Sequence, residues 1–281
     1  MGKPRKHSRN SFIRVIRDKT NMEFQTLLYD LQDGIATITF NRPEVLNAIS
    51  EEMRADFAAL IEPLVFDDSM RAVIFTGAGR AFSAGGDIAH FEQEWRTPAF
   101  RAHSHQLTHF FNELEALEKP VIAALNGVTT GAGLQLALAC DLRLASDQAQ
   151  IGFRENFLGL IPGHGGTARL ARLIGPGRAK ELIFMGELIP AEQAMAIGLV
   201  SRVFAHDTLM VETNTLVRKL LQHAPQALGL VKRLLNTAGN IDLQSGMVME
   251  SLAQSILLKT GDHREGLRAL REKRKPHFEG K

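Results

Sequence analysis

A single cysteine, Cys140, leaves this 281-residue chain without an internal disulfide. Its place inside an apolar run favours a small buried hydrophobe in a reducing compartment over a nucleophile. No apolar run approaches the roughly 20 residues that a membrane-spanning helix needs, and the N-terminus has no apolar stretch of secretory length. A net charge of +2 is too small for an argument that the whole molecule binds nucleic acid. The nucleotide motifs are missing too. No Lys-Ser/Thr follows a glycine turn as in a P-loop, and no glycine turn has the Gly-x-Gly-x-x-Gly spacing. Ser83 lacks the Gly-x-Ser-x-Gly elbow of a serine nucleophile.

What remains is an ordinary globular composition, 44% hydrophobic and 23% charged. Its charge is uneven. Residues 1–21 carry seven Lys/Arg against one Asp, which leaves the rest mildly acidic. This leader reads as a disordered extension, with a basic arm for an anionic partner or an Arg-rich transit segment as alternatives. The expected location is cytoplasmic, or a mitochondrial matrix if the leader is a transit segment.

From residue 22 the pattern is strand, turn, helix. Ile35 to Phe40 alternates as a strand and stops at Asn41-Arg42-Pro43. Ser50 is a candidate N-cap for a helix with Met53, Phe57, Leu60, Ile61 and Leu64 on one face. Val73 to Thr76, Val121 to Leu125, Leu142 to Ala145 and Val200 to Phe204 read as further strands, and Leu107, Phe110, Phe111, Leu114 and Leu117 stripe a second helix. After Pro190 come helices: Pro190 to Ile197, His206 to His223, Pro225 to Asn236, and a segment from Ile241 towards Lys259. The implied organisation is a leader over 1–21, an α/β core over 22–200 and a helical region over 201–281.

Two glycine turns follow strands, where α/β proteins place ligands. One is Ala84-Gly85-Gly86-Asp87-Ile88; the other is Gly131-Ala132-Gly133 at a predicted helix N-terminus. Two such turns can aim backbone N–H groups at one oxygen, and an oxyanion donor of this kind contributes about 3–4 kcal/mol in a transition state. Glycine turns are more often only turns, so neither specifies a site alone. Glu155 is an acid in apolar company. Burial would fit it for proton exchange, whereas a salt bridge to Arg154 would keep it structural; on an extended chain the two would face opposite ways.

Several ordered blocks make the reading specific: NRPEVLNAIS at 41–50, AFSAGGDI at 81–88, KPVIAALNG at 119–127, GAGLQLALACDLRLAS at 131–146, LGLIPGHGGTARLARLIG at 159–175 and AMAIGLVSRV at 194–203. With the tail EGLRALREKRKPHFEG, the chain resembles the enoyl-CoA hydratase/isomerase (crotonase) family across about residues 22–280. The resemblance implies an α/β spiral of ββα units with a C-terminal helical trimerisation region, assembled as a homotrimer or dimer of trimers. It implies an acyl-CoA substrate, no cofactor beyond the CoA moiety, no metal, and an enolate held by the N–H groups of Gly86 and Ala132. Glu155 would be the acid/base. Ala48, Ala84, Gly85, Asp87 and Ile88 would lie along the CoA, with Arg42 and basic tail residues as softer additions.

One departure matters. Family hydratases carry two glutamates, and here the first position is Gln135. An amide can hold a water but cannot take its proton at neutral pH. A single carboxyl suits an isomerase-type proton shuttle better than hydration. Gly163 and His164 are auxiliary candidates; His90, His103, His105 and His109 read as surface or packing, and His103-x-His105 is a poor metal pair because i,i+2 positions diverge on a helix. Phe91, Trp95, Phe100 and Phe110 either shape the acyl end or belong to the core. The rival reading is an RNA-binding or CoA-binding member with weak or no hydratase activity.

Overall fold

A computed structural model describes residues 23–281, the side chain of His90 apart. The basic leader, and the arm and transit readings attached to it, lie outside the described residues.

Strands β1 (Leu27–Gln32) and β2 (Ile35–Phe40) form an antiparallel hairpin. Its turn, Asp33-Gly34, has φ of 52° and 78°, the left-handed pair that matches the strands' twist. The sequence reading had not identified β1. Helix α1 (Glu51–Phe66) starts at Ser50, whose hydroxyl accepts from Met53 N at 3.4 Å, and buries Met53, Phe57, Leu60 and Leu64.

The chain then repeats one unit. A strand of a large sheet is followed by a short strand of a second sheet and then by helix. The units are β3 (Ala72–Gly77), β4 (Ala81–Ser83), α2 (Ile88–Phe91) and α3 (Thr97–Ala116); then β5 (Val121–Leu125), β6 (Val128–Thr130) and α4 (Gly131–Ala139); then β7 (Leu142–Ser146), β8 (Gln150–Gly152) and α5 (Gly166–Ile174). There follow α6 (Pro176–Met185), β9 (Ile189–Pro190), α7 (Ala191–Ala196), β10 (Arg202–Phe204), α8 (Leu209–Leu220), α9 (Pro225–Ala238), α10 (Leu243–Leu257) and α11 (Gly261–Glu272). The large sheet runs β1-β2-β3-β5-β7-β10 and the small one β4-β6-β8-β9. All strand pairs are parallel except β1–β2 and β8–β9.

Central strands β3 and β5 are covered on both faces, as parallel sheets require, and so read as continuous apolar runs. Alternation divides their side chains. Val73, Phe75, Val121 and Ala123 join the main core with α1, α3 and α4, while Ala72, Ile74, Ile122 and Ala124 pack under α8 through Leu209 and Val217.

Several sequence boundaries shift, among them the helix read over His206 to His223, which is α-helical only over Leu209–Leu220, and two more have a local cause. The segment Pro190 to Ile197 becomes helical only at Ala191, because Ile189 and Pro190 pair with β8 at the sheet edge, where proline is tolerated. The last strand narrows to Arg202–Phe204, since Ser201 N instead donates to Arg143 O at 2.8 Å.

Candidate active site

The two glycine turns meet. Gly85 has φ +98° and Gly131 φ +54°, conformations that disfavour any side chain. A Cβ on Gly85 would stand 3.1 Å from Gly131 Cα and 3.2 Å from Ala132 N, so only glycine permits this approach. Two further contacts fix the first turn. Ser83, fully buried, donates through its hydroxyl to Asn47 O (2.8 Å) and accepts from Gly85 N (3.2 Å), which employs it structurally. Ile49 pairs with the loop as a parallel bridge, donating to Gly85 O (2.7 Å) and accepting from Asp87 N (3.1 Å). The Gly86 N–H therefore points to the other side, and among the described residues it meets no acceptor. Ala132 is the second residue of α4, among the leading N–H groups that a helix cannot satisfy itself, and Thr130 makes no side-chain cap.

Glu155 closes this arrangement. Its Oε1 lies 3.8 Å from where a Cβ on Gly131 would be. Gln135, in the first turns of α4, is 3% exposed and donates from Nε2 to Glu155 Oε1 at 2.9 Å. Arg154 N donates to Oε2 at 3.0 Å. The expectation of an extended chain here is corrected: Glu155–Leu158 is a 3₁₀ turn. The Arg154 guanidinium sits over the Phe157 ring, 5.3 Å from its centre, and among the described residues no ion pair joins it to Glu155. Burial pushes the Glu155 carboxyl above the ordinary carboxylate range, with the backbone and Gln135 donors pulling partly back. The Gln135 Oε1 is buried without a hydrogen-bond partner, so it can accept from a small donor entering the site.

The remaining candidates divide. Ala84 N is held by Leu46 O (2.9 Å). Ala48 O accepts from Arg42 Nη1 at 2.6 Å, and the same guanidinium pairs with Asp87 at 3.1 Å. Asp87 also caps α2 by accepting from Ala89 N, and Ile88 is 72% exposed. Gly163 adjoins open space. His164 Nδ1 lies 2.9 Å from Thr108 Oγ1, a hydroxyl that also reaches Ser104 O at 3.0 Å, and 3.5 Å from Ser104 Oγ. Phe110 is core, stacked on Phe57 at 4.6 Å, whereas the Phe91 ring lies against Gly86. His103 faces Glu51 at 3.2 Å and His105 stacks with His109. Cys140 is buried with its thiol pushed up to about 12 by desolvation, as expected of an inert residue.

Asn47 escaped the sequence reading. It holds φ +56°, accepts from Arg42 N (2.9 Å), and donates to Ala78 O (2.9 Å) and Ala81 O (2.8 Å), which ties the Arg42 loop to β4. The only signal was its position inside the NRPEVLNAIS block.

Known proteins share this architecture. The family model described as enoyl-CoA hydratase/isomerase matches residues 30–281. A short-chain-enoyl-CoA hydratase of Clostridium acetobutylicum is 38% identical over 90% of this chain and 97% of its own. A 1,2-epoxyphenylacetyl-CoA isomerase of Escherichia coli is 37% identical over 92% of this chain and all of its own, 100%. The crystal structure of an enoyl-CoA hydratase from Bacillus anthracis superposes with a TM-score of 0.87 at 36% identity, covering 92% of this chain and 100% of that one. The spiral of ββα units, the meeting of the two glycine turns and these matches lead to one conclusion: this chain is an enzyme of the enoyl-CoA hydratase/isomerase family, with the crotonase fold.

Proposed function

We propose that this enzyme stabilises the enolate of an acyl-CoA thioester and moves protons with one glutamate. Gly86 and Ala132 N–H groups receive the thioester oxygen, and Glu155 is the general acid/base. The observation that carries the reading is the place of the Glu155 carboxyl, 3.8 Å from the Cβ position of Gly131 and within the same few ångströms as the Gly85–Ala132 contact. Burial raises the carboxyl there above its ordinary value, which makes its anion a stronger base towards a substrate C–H.

The chemistry balances without a co-reactant. Glu155 removes the α-proton of a 3-enoyl thioester, and the electron pair passes into the carbonyl as an enolate. The enolate collapses with the double bond moved to the 2-position, and Glu155 returns the proton to the γ-carbon. Hydration needs a second group to deprotonate the attacking water. Gln135, which already donates to Glu155, does not supply it. An acyl-CoA substrate, assembly as a homotrimer or dimer of trimers and a cytoplasmic location belong to the same proposal; the two relatives named above are bacterial, which favours the cytoplasm over a mitochondrial matrix.

Purified protein is assayed for isomerisation of a 3-enoyl-CoA and hydration of a 2-enoyl-CoA. Isomerisation is expected to dominate, and Glu155→Gln is expected to lose about 10²–10⁴-fold in kcat. Hydration at rates equal to or above isomerisation would overturn the role given to Gln135. Full activity in Glu155→Gln would overturn the role of Glu155.

A further inference from the structure

Ser83, the last residue of β4, is fully buried and bears on both glycine turns. Towards the first turn, its hydroxyl accepts from Gly85 N at 3.2 Å. Towards the second, it packs against α4. A Cβ on Gly133 would stand 2.6 Å from Ser83 Cβ, 2.7 Å from Ser83 O and 2.9 Å from Ser83 Oγ, so α4 sits on this side chain through a bare Cα. Gly85 precedes Gly86 in the chain, and Gly133 follows Ala132. One side chain therefore meets the immediate neighbour of each N–H group assigned to the thioester oxygen. The hydroxyl is itself anchored. It donates to Asn47 O at 2.8 Å, and the Asn47 amide is tied to Ala78 O and Ala81 O.

Gly85 is clamped from both sides. The peptide unit before it is held by the Ser83 hydroxyl, and the unit after it by Ile49 N, which donates to Gly85 O at 2.7 Å. Peptide planarity makes the Gly86 N–H point opposite to Gly85 O. Glycine at φ +98° has little intrinsic preference to stay there. With the Ser83 tether removed, the Gly85–Gly86 unit is free to turn about the Gly85 Cα, and the Gly86 N–H turns with it. Two donors stabilise one oxyanion only when both lie about 2.7–3.1 Å from it, and a misplacement of about 1 Å costs about 10²-fold.

We infer that Ser83 is a positioning residue for the oxyanion donors: its buried hydroxyl aims the Gly86 N–H, and its contact with Gly133 sets the distance to Ala132. The inference rests on the enolate reading above and adds to it the group that keeps the two donors in register. It also gives the one serine of the first turn a task that needs no access to substrate.

Infrared difference spectra of bound hexanoyl-CoA, isotope-labelled at the thioester carbonyl carbon, report the polarisation of that carbonyl without turnover. Binding to the unsubstituted chain is expected to lower the carbonyl stretching frequency below its value in water. In Ser83→Ala the band is expected to move back towards the free value. The same variant should lose about tenfold in kcat for isomerisation of hex-3-enoyl-CoA, less than the 10²–10³-fold cost of removing a donor outright, with KM changed by less than about twofold. Ser83→Cys fills the same space with a weak acceptor and is expected to fall between the two chains in both measurements; where Ser83→Ala does not fold, it carries the comparison. Saturable hexanoyl-CoA binding by each variant shows that it is folded. An unmoved band in Ser83→Ala would overturn the assignment, whatever happens to the rate. Full recovery in Ser83→Cys would overturn it too, because the side chain would then only fill space. If hexanoyl-CoA does not bind the unsubstituted chain, or binds with no shift of the band, the enolate reading itself fails and takes this inference with it. If the shift is present and the variants keep it, only the Ser83 assignment fails.

Discussion

At the residue scale, the acid/base role proposed for Glu155 pulls against stability. Burial raises its pKa, so the folded state favours the protonated form. Its contribution to stability is present below the unfolded carboxylate pKa, about 4.3, and is lost as pH rises through the raised folded value. Proton abstraction needs the ionised form. The acid limb of kcat/KM is therefore expected above the ordinary carboxylate range. Gln135→Met, which removes the 2.9 Å donor to Oε1, should move that limb higher still; a pH–rate profile with no shift would leave Gln135 without a role in holding the base. Glu155→Gln should melt at a higher temperature than the unsubstituted chain at pH 7, because a neutral amide replaces a desolvated charge. The gap should shrink as pH falls and the carboxyl protonates. Much of this was legible in the sequence: Glu155 stands out as an acid among apolar residues, and Gln135 as the departure from the two-glutamate pattern. Their hydrogen bond was not, because twenty residues separate them and only the fold brings α4 against the 3₁₀ turn.

At the element scale, the candidate site is a meeting of two loops, each after its own strand. The Asn126 side chain joins the turns that leave β3 and β5, accepting from Gly77 N (3.0 Å) and donating to Gly79 O (2.9 Å). Lower down, Gly85 and Gly131 touch Cα to Cβ position. Gly85→Ala adds a methyl 3.1 Å from backbone at φ +98°. It should lose about 1–3 kcal/mol of stability from strain, and about 10²-fold or more in kcat as the two N–H groups separate. Gly177→Ala, in the first turn of α6 with open space around it, should instead be neutral or gain up to about 1 kcal/mol. Urea unfolding and steady-state rates check both. Long elements were readable because α1 and α3 carry apolar stripes and β3 and β5 are uninterrupted apolar runs. The short strands β4, β6, β8 and β9 were not, since two or three residues carry no periodicity and their pairing is decided by the spiral.

At the scale of the whole molecule, the helical C-terminal region is tied down at one end and open at the other. Lys232 on α9 reaches Asp141 Oδ2 at 2.9 Å, which also accepts from Val121 N at 2.7 Å, so a buried ammonium and a partly buried carboxylate bind α9 to the sheet. Lys232→Met leaves Asp141 without its cation, and a loss of about 3–5 kcal/mol is expected in urea unfolding. Beyond α9 the situation reverses. No residue of α10 is buried, and Leu243, Met247, Val248, Leu252 and Ile256 are each more than half exposed. An exposed apolar helix on this scale needs a cover. Charge repulsion on that face gives a direct check of the trimer proposed above. Light scattering should give three times 31.0 kDa, or a multiple of that trimer, for the unsubstituted chain. A Leu252→Asp, Ile256→Asp double variant should shift the mass towards 31.0 kDa with the far-UV circular dichroism kept. A monomer in the unsubstituted chain would mean that α10 is covered by something other than a second copy. A trimer unaffected by the double variant would place the interface on another face.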